Sequence, residues 1–342
     1  MKTIETKNKE AMYYEKLPGN QVACVLCFRD CVIRDGERGW CENRVNVEGK
    51  LFTLVFDRPC TIQIDPVEKE PLYHFLPGTT MLSISTASCN YRCRFCHNWH
   101  ISFSAPEELP SYEVSAREIV RLAREKGCSM ISHTYGEPTV HYEYIISIAE
   151  EVINSGLNHV CHTNLGIRPE PLQKLLEHVN ALSIDLKGFC PDYYRRMCNA
   201  DLEIVLENLL TVRKSGVHFE LINLVLPTEN DDPQDISGMC DWITQNLGED
   251  TPLHFSRYYP TDRYRELLPT PVQTLERCRD IAEQSGLNFV SIGNVPGHEA
   301  GSTRCPDCGK ILIGRVHFEV VENNLVEGSC PECGRLIPGL WE

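Results

Sequence analysis

Met81-Leu82-Ser83-Ile84-Ser85, then Cys89-Asn90-Tyr91-Arg92-Cys93-Arg94-Phe95-Cys96, is a short apolar strand that runs into a loop carrying three thiols. The same grammar repeats downstream. Ser115–Lys126 predicts a helix, with Ser115 and Glu118 spaced as a capping box ahead of apolar residues at helical intervals. Met130–Thr134 predicts a strand that ends at Tyr135-Gly136-Glu137-Pro138, followed by a helix over Thr139–Ser155. Asn158–His162 is the next strand, ending at Thr163-Asn164-Leu165-Gly166, and Pro169–His178 the next helix. Strands at Ala181–Leu186, Phe219–Leu226, Pro252–Ser256 and Asn288–Ile292 alternate with helices at Leu202–Ser215, from Asp232-Pro233 to about Gln245, and Thr270–Ser285. Such alternation means a parallel sheet in an α/β fold. No Gly-rich dinucleotide fingerprint follows the first strand, which favours a partial (β/α)6 barrel over a Rossmann sheet. The chemically distinctive residues (Cys89–Cys96, Gly136-Glu137, Thr163-Asn164, Asp185 with Lys187, His254 with Arg257) are read at or just beyond strand C-termini. In a βα-barrel those ends form the active face.

The chain has 342 residues, with 33 Lys plus Arg against 48 Asp plus Glu and a net charge of −15, which argues against a general nucleic-acid coat or charge-held membrane binding. No apolar run approaches the roughly 18 residues of a membrane span. Met1–Leu17 has no apolar core of a secretory signal, so the expected location is the cytoplasm. There, 18 cysteines point to metal ligation more than to disulfides. They group as Cys24, Cys27, Cys31 and Cys41; as Cys89, Cys93 and Cys96; and as Cys305, Cys308, Cys330 and Cys333. The expected division is a four-cysteine metal module at 1–75, the barrel at 76–299 and a knuckle module at 300–342, small cysteine-rich modules thus flanking the barrel at both ends.

Three thiolates on one loop suit a [4Fe–4S] cluster, whose fourth iron stays open to chelate a small molecule. A structural zinc site needs a fourth ligand, for which His97 and His100 are the nearby candidates. Cys89-x3-Cys93-x2-Cys96 after a first barrel strand resembles the radical S-adenosylmethionine (SAM) enzymes, and Cys96-His97-Asn98 is similar to activating enzymes of the pyruvate formate-lyase type. Gly136-Glu137 resembles the Gly-Glu segment whose backbone meets the SAM amino group. Asn164 matches the Thr-Asn-Gly turn, with Leu165 intervening before Gly166, and Asp185 and Lys187 match Asp-x-Lys. Where activating enzymes carry Asp before that turn, this chain has His162. The resemblance implies SAM contacts at Asn98, Gly136, Glu137, Asn164, Asp185, Lys187 and His254, and a one-electron donor of the ferredoxin or flavodoxin type. The bland alternatives are a turn glycine with a helix-start acid at Gly136-Glu137, a strand-end ion pair at Asp185 and Lys187, and a satisfied core histidine at His254.

A resemblance over most of the chain rests on Cys24-x2-Cys27-x3-Cys31, Gly39-Trp40-Cys41, Asp65-Pro66-Val67-Glu68-Lys69, His74-Phe75-Leu76-Pro77-Gly78, Gly293-Asn294-Val295-Pro296-Gly297 and the closing Pro338-Gly339-Leu340-Trp341. It is to the AmmeMemoRadiSam-system radical SAM subfamily, which implies companion proteins of that system as partners and an anaerobic setting. Cys305-Pro-Asp-Cys308-Gly and Cys330-Pro-Glu-Cys333-Gly are paired knuckles that complete a tetrahedral S4 site, with zinc first and a rubredoxin-type iron as the alternative. The N-terminal four cysteines suit either zinc or a second iron–sulfur cluster. A glycyl-radical activating enzyme and a zinc-ribbon nucleic-acid binder are the competing functions. No ferredoxin-like cysteine insert follows Cys96, and from Cys305 onward the knuckle module carries only Lys310, Arg315 and Arg335 as basic residues.

Overall fold

A computed structural model describes residues 8–342. Met1–Lys7, where the reading for a secretory signal begins, lie outside the described residues. Packing divides the described residues into two compact units, one of residues up to 65 and 81–180, the other of residues 66–80 and 181–342. This is a different cut from the motif-based one at 75/76 and 299/300.

In the first unit, β1 (Lys9–Glu10), β5 (Arg44–Val47) and β6 (Lys50–Thr53) form one antiparallel sheet. A second comprises β2 (Tyr14–Leu17), β3 (Gln21–Cys24) and β4 (Val32–Ile33). After β7 (Thr61–Pro66) come three parallel strands, β8 (Thr80–Ser85), β9 (Met130–His133) and β10 (Asn158–Thr163). Between and after them run α1 (Ala116–Glu125), α2 (Tyr142–Val152) and α3 (Pro169–Leu176). The capping box forms as read: Ser115 Oγ accepts the Glu118 N–H, and Glu118 Oε2 accepts the Ser115 N–H at 2.9 Å.

The period of two in β8 separates two faces. Leu82 and Ile84 pack with Ile131, Ile119, Val120, Tyr144 and Ile148 in the helix-covered core. Ser83 and Ser85 therefore take the opposite face. There the Ser85 hydroxyl accepts the Gly136 N–H at 3.1 Å, so small polar side chains let the strand-end loops close in.

In the second unit, β11 (Ala181–Asp185), β12 (His218–Val225), β13 (Leu253–Arg257) and β14 (Val290–Gly293) are parallel. They alternate with α4 (Leu202–Ser215), α5 (Pro233–Asn246) and α6 (Val272–Gln284). Asp201 caps α4 and Asp232, followed by Pro233, caps α5. The α/β class with parallel strands and strand–helix alternation expected of a partial (β/α)6 barrel is present. β15 (Thr303–Arg304), β16 (Ile311–Val316) and β17 (Glu319–Asn323) form a small antiparallel sheet, with β15 leading into the first knuckle and β16 and β17 between the two. Residues 66–80 are tied to that end of the chain: Leu76 donates to the Leu340 carbonyl at 2.7 Å and Leu340 to the His74 carbonyl at 2.8 Å. Buried Glu68 faces Arg315 at 3.5 Å and accepts the Gly78 N–H at 2.9 Å. No helix among the described residues is long and apolar enough to cross a membrane.

Candidate active site

Three strand-end loops of the first unit interlock around Cys89. Its sulfur accepts the Tyr91 backbone N–H at 3.3 Å and stands 3.7 Å from Nδ2 of Asn164. Asn164 Nδ2 also donates to Asn90 Oδ1 at 3.0 Å, while Asn164 Oδ1 accepts the Gly166 N–H at 2.8 Å. The Tyr91 hydroxyl donates to the Asn164 carbonyl. Glu137, buried, closes the set. One carboxylate oxygen accepts the Asn164 N–H at 2.9 Å; the other accepts the Thr139 N–H at 3.1 Å and the hydroxyls of Thr139 and Thr163 at 2.7 and 2.9 Å. Its side chain is thus spent inside the protein. Burial pushes the Glu137 carboxyl up, and the donors of Asn164, Thr139 and Thr163 pull the other way.

Close approach makes two glycines obligatory. A Cβ at Gly136 would stand 2.8 Å from Ser85 Oγ and 3.3 Å from the carbonyls of Thr86 and Ser88; at Gly166 it would stand 2.6 Å from Tyr91. The backbone is also left-handed at Ser88, Tyr135 and Leu165, one non-glycine residue beside each part of the site. Such conformations cost on the order of 1–3 kcal/mol each and concentrate at functional sites. Leu165 (φ 54°) takes the bend a glycine would make in a Thr-Asn-Gly turn, its side chain buried.

Burial, the Glu137 carboxylate and then Cys93 push the Cys89 thiol well above its ordinary value. A bare thiolate there is penalised, and metal charge offsets the penalty, which fits the loop to a cationic cluster. Asn98 accepts the N–H groups of Ile101 and Ser102 through its carbonyl at the start of a short helix.

In the second unit, Lys187 Nζ lies 2.8 Å from Asp185 Oδ2 just past β11, both partly exposed. Tyr194 fixes the Lys187 N–H and Asn230 its carbonyl. His254 departs from expectation. It is the second residue of β13, near the strand's start, with one ring nitrogen 2.7 Å from Glu220 and the other on Ser291. Both nitrogens are taken by buried partners, so His254 is withdrawn as a SAM contact. Arg257, at the end of β13, donates to the Thr270 carbonyl.

Sequence reasoning passed over Glu220. It accepts the N–H groups of Tyr73 (3.0 Å) and His74 (2.7 Å) and pairs with His218 (3.0 Å) and His254. Although its burial opposes ionisation, these partners hold its carboxyl well below the usual range. A lone acid in the apolar run of β12 was the available signal, because a buried charge demands partners.

Among the described residues, one group of His, Cys, Asp or Glu side chains brings three or more ligand atoms within 4.8 Å of one another: Cys305, Cys308, Cys330 and Cys333. Sulfur separations are 3.5 Å for Cys305 and Cys333 and 3.6 Å for Cys308 and Cys330. Matching turns present them, with Gly309 donating to the Cys305 carbonyl and Gly334 to that of Cys330, both at 2.9 Å. The four can hold a metal ion. The Cys89 group and the N-terminal four are spaced more widely.

Residues 83–240 match the radical SAM superfamily. An uncharacterised protein of Methanocaldococcus jannaschii is 44% identical over 317 residues, 93% of this chain and 94% of that one. A GTP 3′,8-cyclase of Brucella ovis is 26% identical over 260 residues, 69% of this chain and 74% of its own. Among solved structures, SuiB of Streptococcus suis with SAM bound aligns at TM-score 0.51 and 14% identity, covering 67% of this chain and 53% of that one. A radical SAM methyltransferase of Sphaerobacter thermophilus aligns at TM-score 0.51 and 16% identity, covering 65% and 68%. These two share the fold.

Proposed function

Residues 83–240 carry a radical SAM superfamily domain, and on that premise we propose that Cys89, Cys93 and Cys96 hold a SAM-binding [4Fe–4S] cluster and that the protein is a radical enzyme of the AmmeMemoRadiSam subfamily. The observation that carries this reading is the interlock at Cys89, where the cysteine loop, the Gly136-Glu137 turn and the Thr163-Asn164 turn are bonded into one piece. When bound, the reduced cluster supplies the one electron that splits SAM into methionine and a 5′-deoxyadenosyl radical able to take hydrogen from an unactivated C–H bond.

The chain's own residues orient and protect. Gly136 lets its turn close against Ser85 and the carbonyls of Thr86 and Ser88, and the main chain of that turn is the proposed partner of the SAM amino group. Glu137 holds that turn without offering its carboxylate. Asn164 donates toward the Cys89 sulfur. Asp185 suits a ribose hydroxyl or the SAM amine, and Lys187 the SAM carboxylate. A ferredoxin- or flavodoxin-type protein is the proposed electron donor.

Binding tests the reading. Adding SAM to the anaerobically reduced protein should change the electron paramagnetic resonance signal of its cluster. Titration should show Asp185→Ala and Lys187→Ala weakening SAM by about 1.5–3 kcal/mol each, the range for a hydrogen bond to a charged group. A signal indifferent to SAM, or affinities unchanged in both variants, would contradict the assignment.

The C-terminal four cysteines are proposed to hold structural zinc. Sulfurs around a tetrahedral zinc with bonds of about 2.3 Å stand about 3.8 Å apart, close to the separations at the knuckles. Cys305 and Cys330 sit in a small core with Phe289, Leu312 and Ile337, so the metal and that core form one unit. Cys330→Ser should therefore release about one zinc per chain and expose residues 302–342 to protease. Loss of iron and visible absorbance instead would overturn the zinc assignment.

A further inference from the structure

Cys24, Cys27, Cys31 and Cys41 line a single cavity with Leu26, Ile33 and Trp40, and the proposed function gives them no task. Protein donors already aim at two of the sulfurs. The Trp40 N–H donates to Cys31 Sγ at 3.4 Å, and the buried Arg44 guanidinium stands 3.6 Å from Cys24 Sγ. Arg44 is fixed there by an ion pair with buried Glu143 of α2 and by the Met12 carbonyl at 2.8 Å. Sulfurs that share a cavity and receive N–H donors are arranged as metal-bound thiolates are.

Their spacing selects the metal. One zinc ion would gather four sulfurs to about 3.8 Å. The C-terminal knuckles meet that spacing at 3.5 and 3.6 Å. The N-terminal four fall outside it, as do Cys89, Cys93 and Cys96, although all four face one cavity. In an iron–sulfur cubane each thiolate binds a different iron, which sets the thiolates farther apart than around one ion. We infer that Cys24, Cys27, Cys31 and Cys41 hold a second, fully cysteine-ligated [4Fe–4S] cluster.

This site is built directly against the Cys89 loop. Arg92 donates to both the Trp40 and the Cys89 carbonyls. Arg29 lies over the Trp40 ring at 4.4 Å and donates to the Asn90 carbonyl at 2.8 Å. The Phe28 ring meets Tyr91 edge-on at 5.4 Å, and Cys27 bridges to Ile167 beyond the Asn164 turn. The two cysteine groups thus share a single hydrogen-bonded wall.

The inference uses the proposed function only for the comparison of spacings, and metal counting separates the two. Full-length protein is reconstituted anaerobically with iron and sulfide, desalted, and analysed for iron, acid-labile sulfide and zinc. Wild type should carry about eight irons and eight sulfides per chain, and the Cys89→Ala/Cys93→Ala/Cys96→Ala variant about half of each. Adding Cys27→Ser and Cys31→Ser should remove the rest while the C-terminal zinc stays. Wild type with about four irons, four sulfides and two zincs overturns the second cluster, and that count needs no variant to fold. If the triple variant keeps its four irons yet still cleaves SAM, the proposed function fails and this inference stands.

Discussion

Glu137→Ala should destabilise the first unit by on the order of 3–5 kcal/mol and lower its capacity to retain iron. The carboxylate is the acceptor for two backbone N–H groups and two hydroxyls, on Thr139, Thr163 and Asn164, all buried. Each buried donor left without an acceptor costs about 1–3 kcal/mol, and the hydroxyls recover part of that by turning to other acceptors. Glu137→Gln keeps the shape and one acceptor oxygen, so its loss should be smaller. Denaturant unfolding of both variants, with bound iron measured alongside, checks the ordering. A Glu137→Ala protein within about 0.5 kcal/mol of wild type would place this residue among ordinary surface positions and remove the keystone from the site.

Stability should fall steeply in mild acid because of a chain of neutral histidines in the same unit. His133 Nδ1 lies 3.1 Å from His141 Nε2, and His133 Nε2 lies 2.8 Å from His159 Nε2; His159 Nδ1 ends on the His178 carbonyl at 2.8 Å. Parallel register puts His133 opposite Ile84 and His159 opposite Ile131, on the helix-covered face away from Ser85. Burial lowers His141 to about 3 and His159 to about 4, and burial with its two histidine neighbours takes His133 well below its ordinary value. Unfolded, each binds a proton near pH 6.5. Above that pH folded and unfolded chains are both neutral here, and nothing is lost. As pH falls below 6.5 only the unfolded chain gains protons. Each histidine then removes up to about 1.4 kcal/mol per pH unit until its folded pKa is reached. The urea midpoint at pH 5.0 should lie well below that at pH 7.0. Removing one histidine, as in His159→Gln, should flatten the pH dependence by about a third. Equal pH dependence in wild type and variant would show that these rings are not the acid-sensitive element.

What could be read from the chain was what is written locally. The Ser115/Glu118 capping box, the Asp232-Pro233 helix start and the polar residues closing β8, β9 and β10 each depend on neighbours within a few positions, and each is where the reading put it. The partners of Glu220 come instead from residues 73–74, 218 and 254, and no local pattern names them. His254 was misplaced for the same reason: its position near the start of β13 turns it toward Glu220 and Ser291. Glu68 and His74, read only as parts of recurring motifs, tie residues 66–80 to Arg315 and to the Pro338 carbonyl. The difference in sulfur spacing among the three cysteine groups was likewise invisible in their sequence intervals.

The most direct measurement is the yield of 5′-deoxyadenosine when the reduced protein is incubated anaerobically with SAM. The account predicts 5′-deoxyadenosine and methionine in equal amounts from wild type, and none above background from the variant lacking Cys89, Cys93 and Cys96. Cluster-loaded wild type that leaves SAM intact, or a triple variant that cleaves it as well as wild type does, would contradict the account.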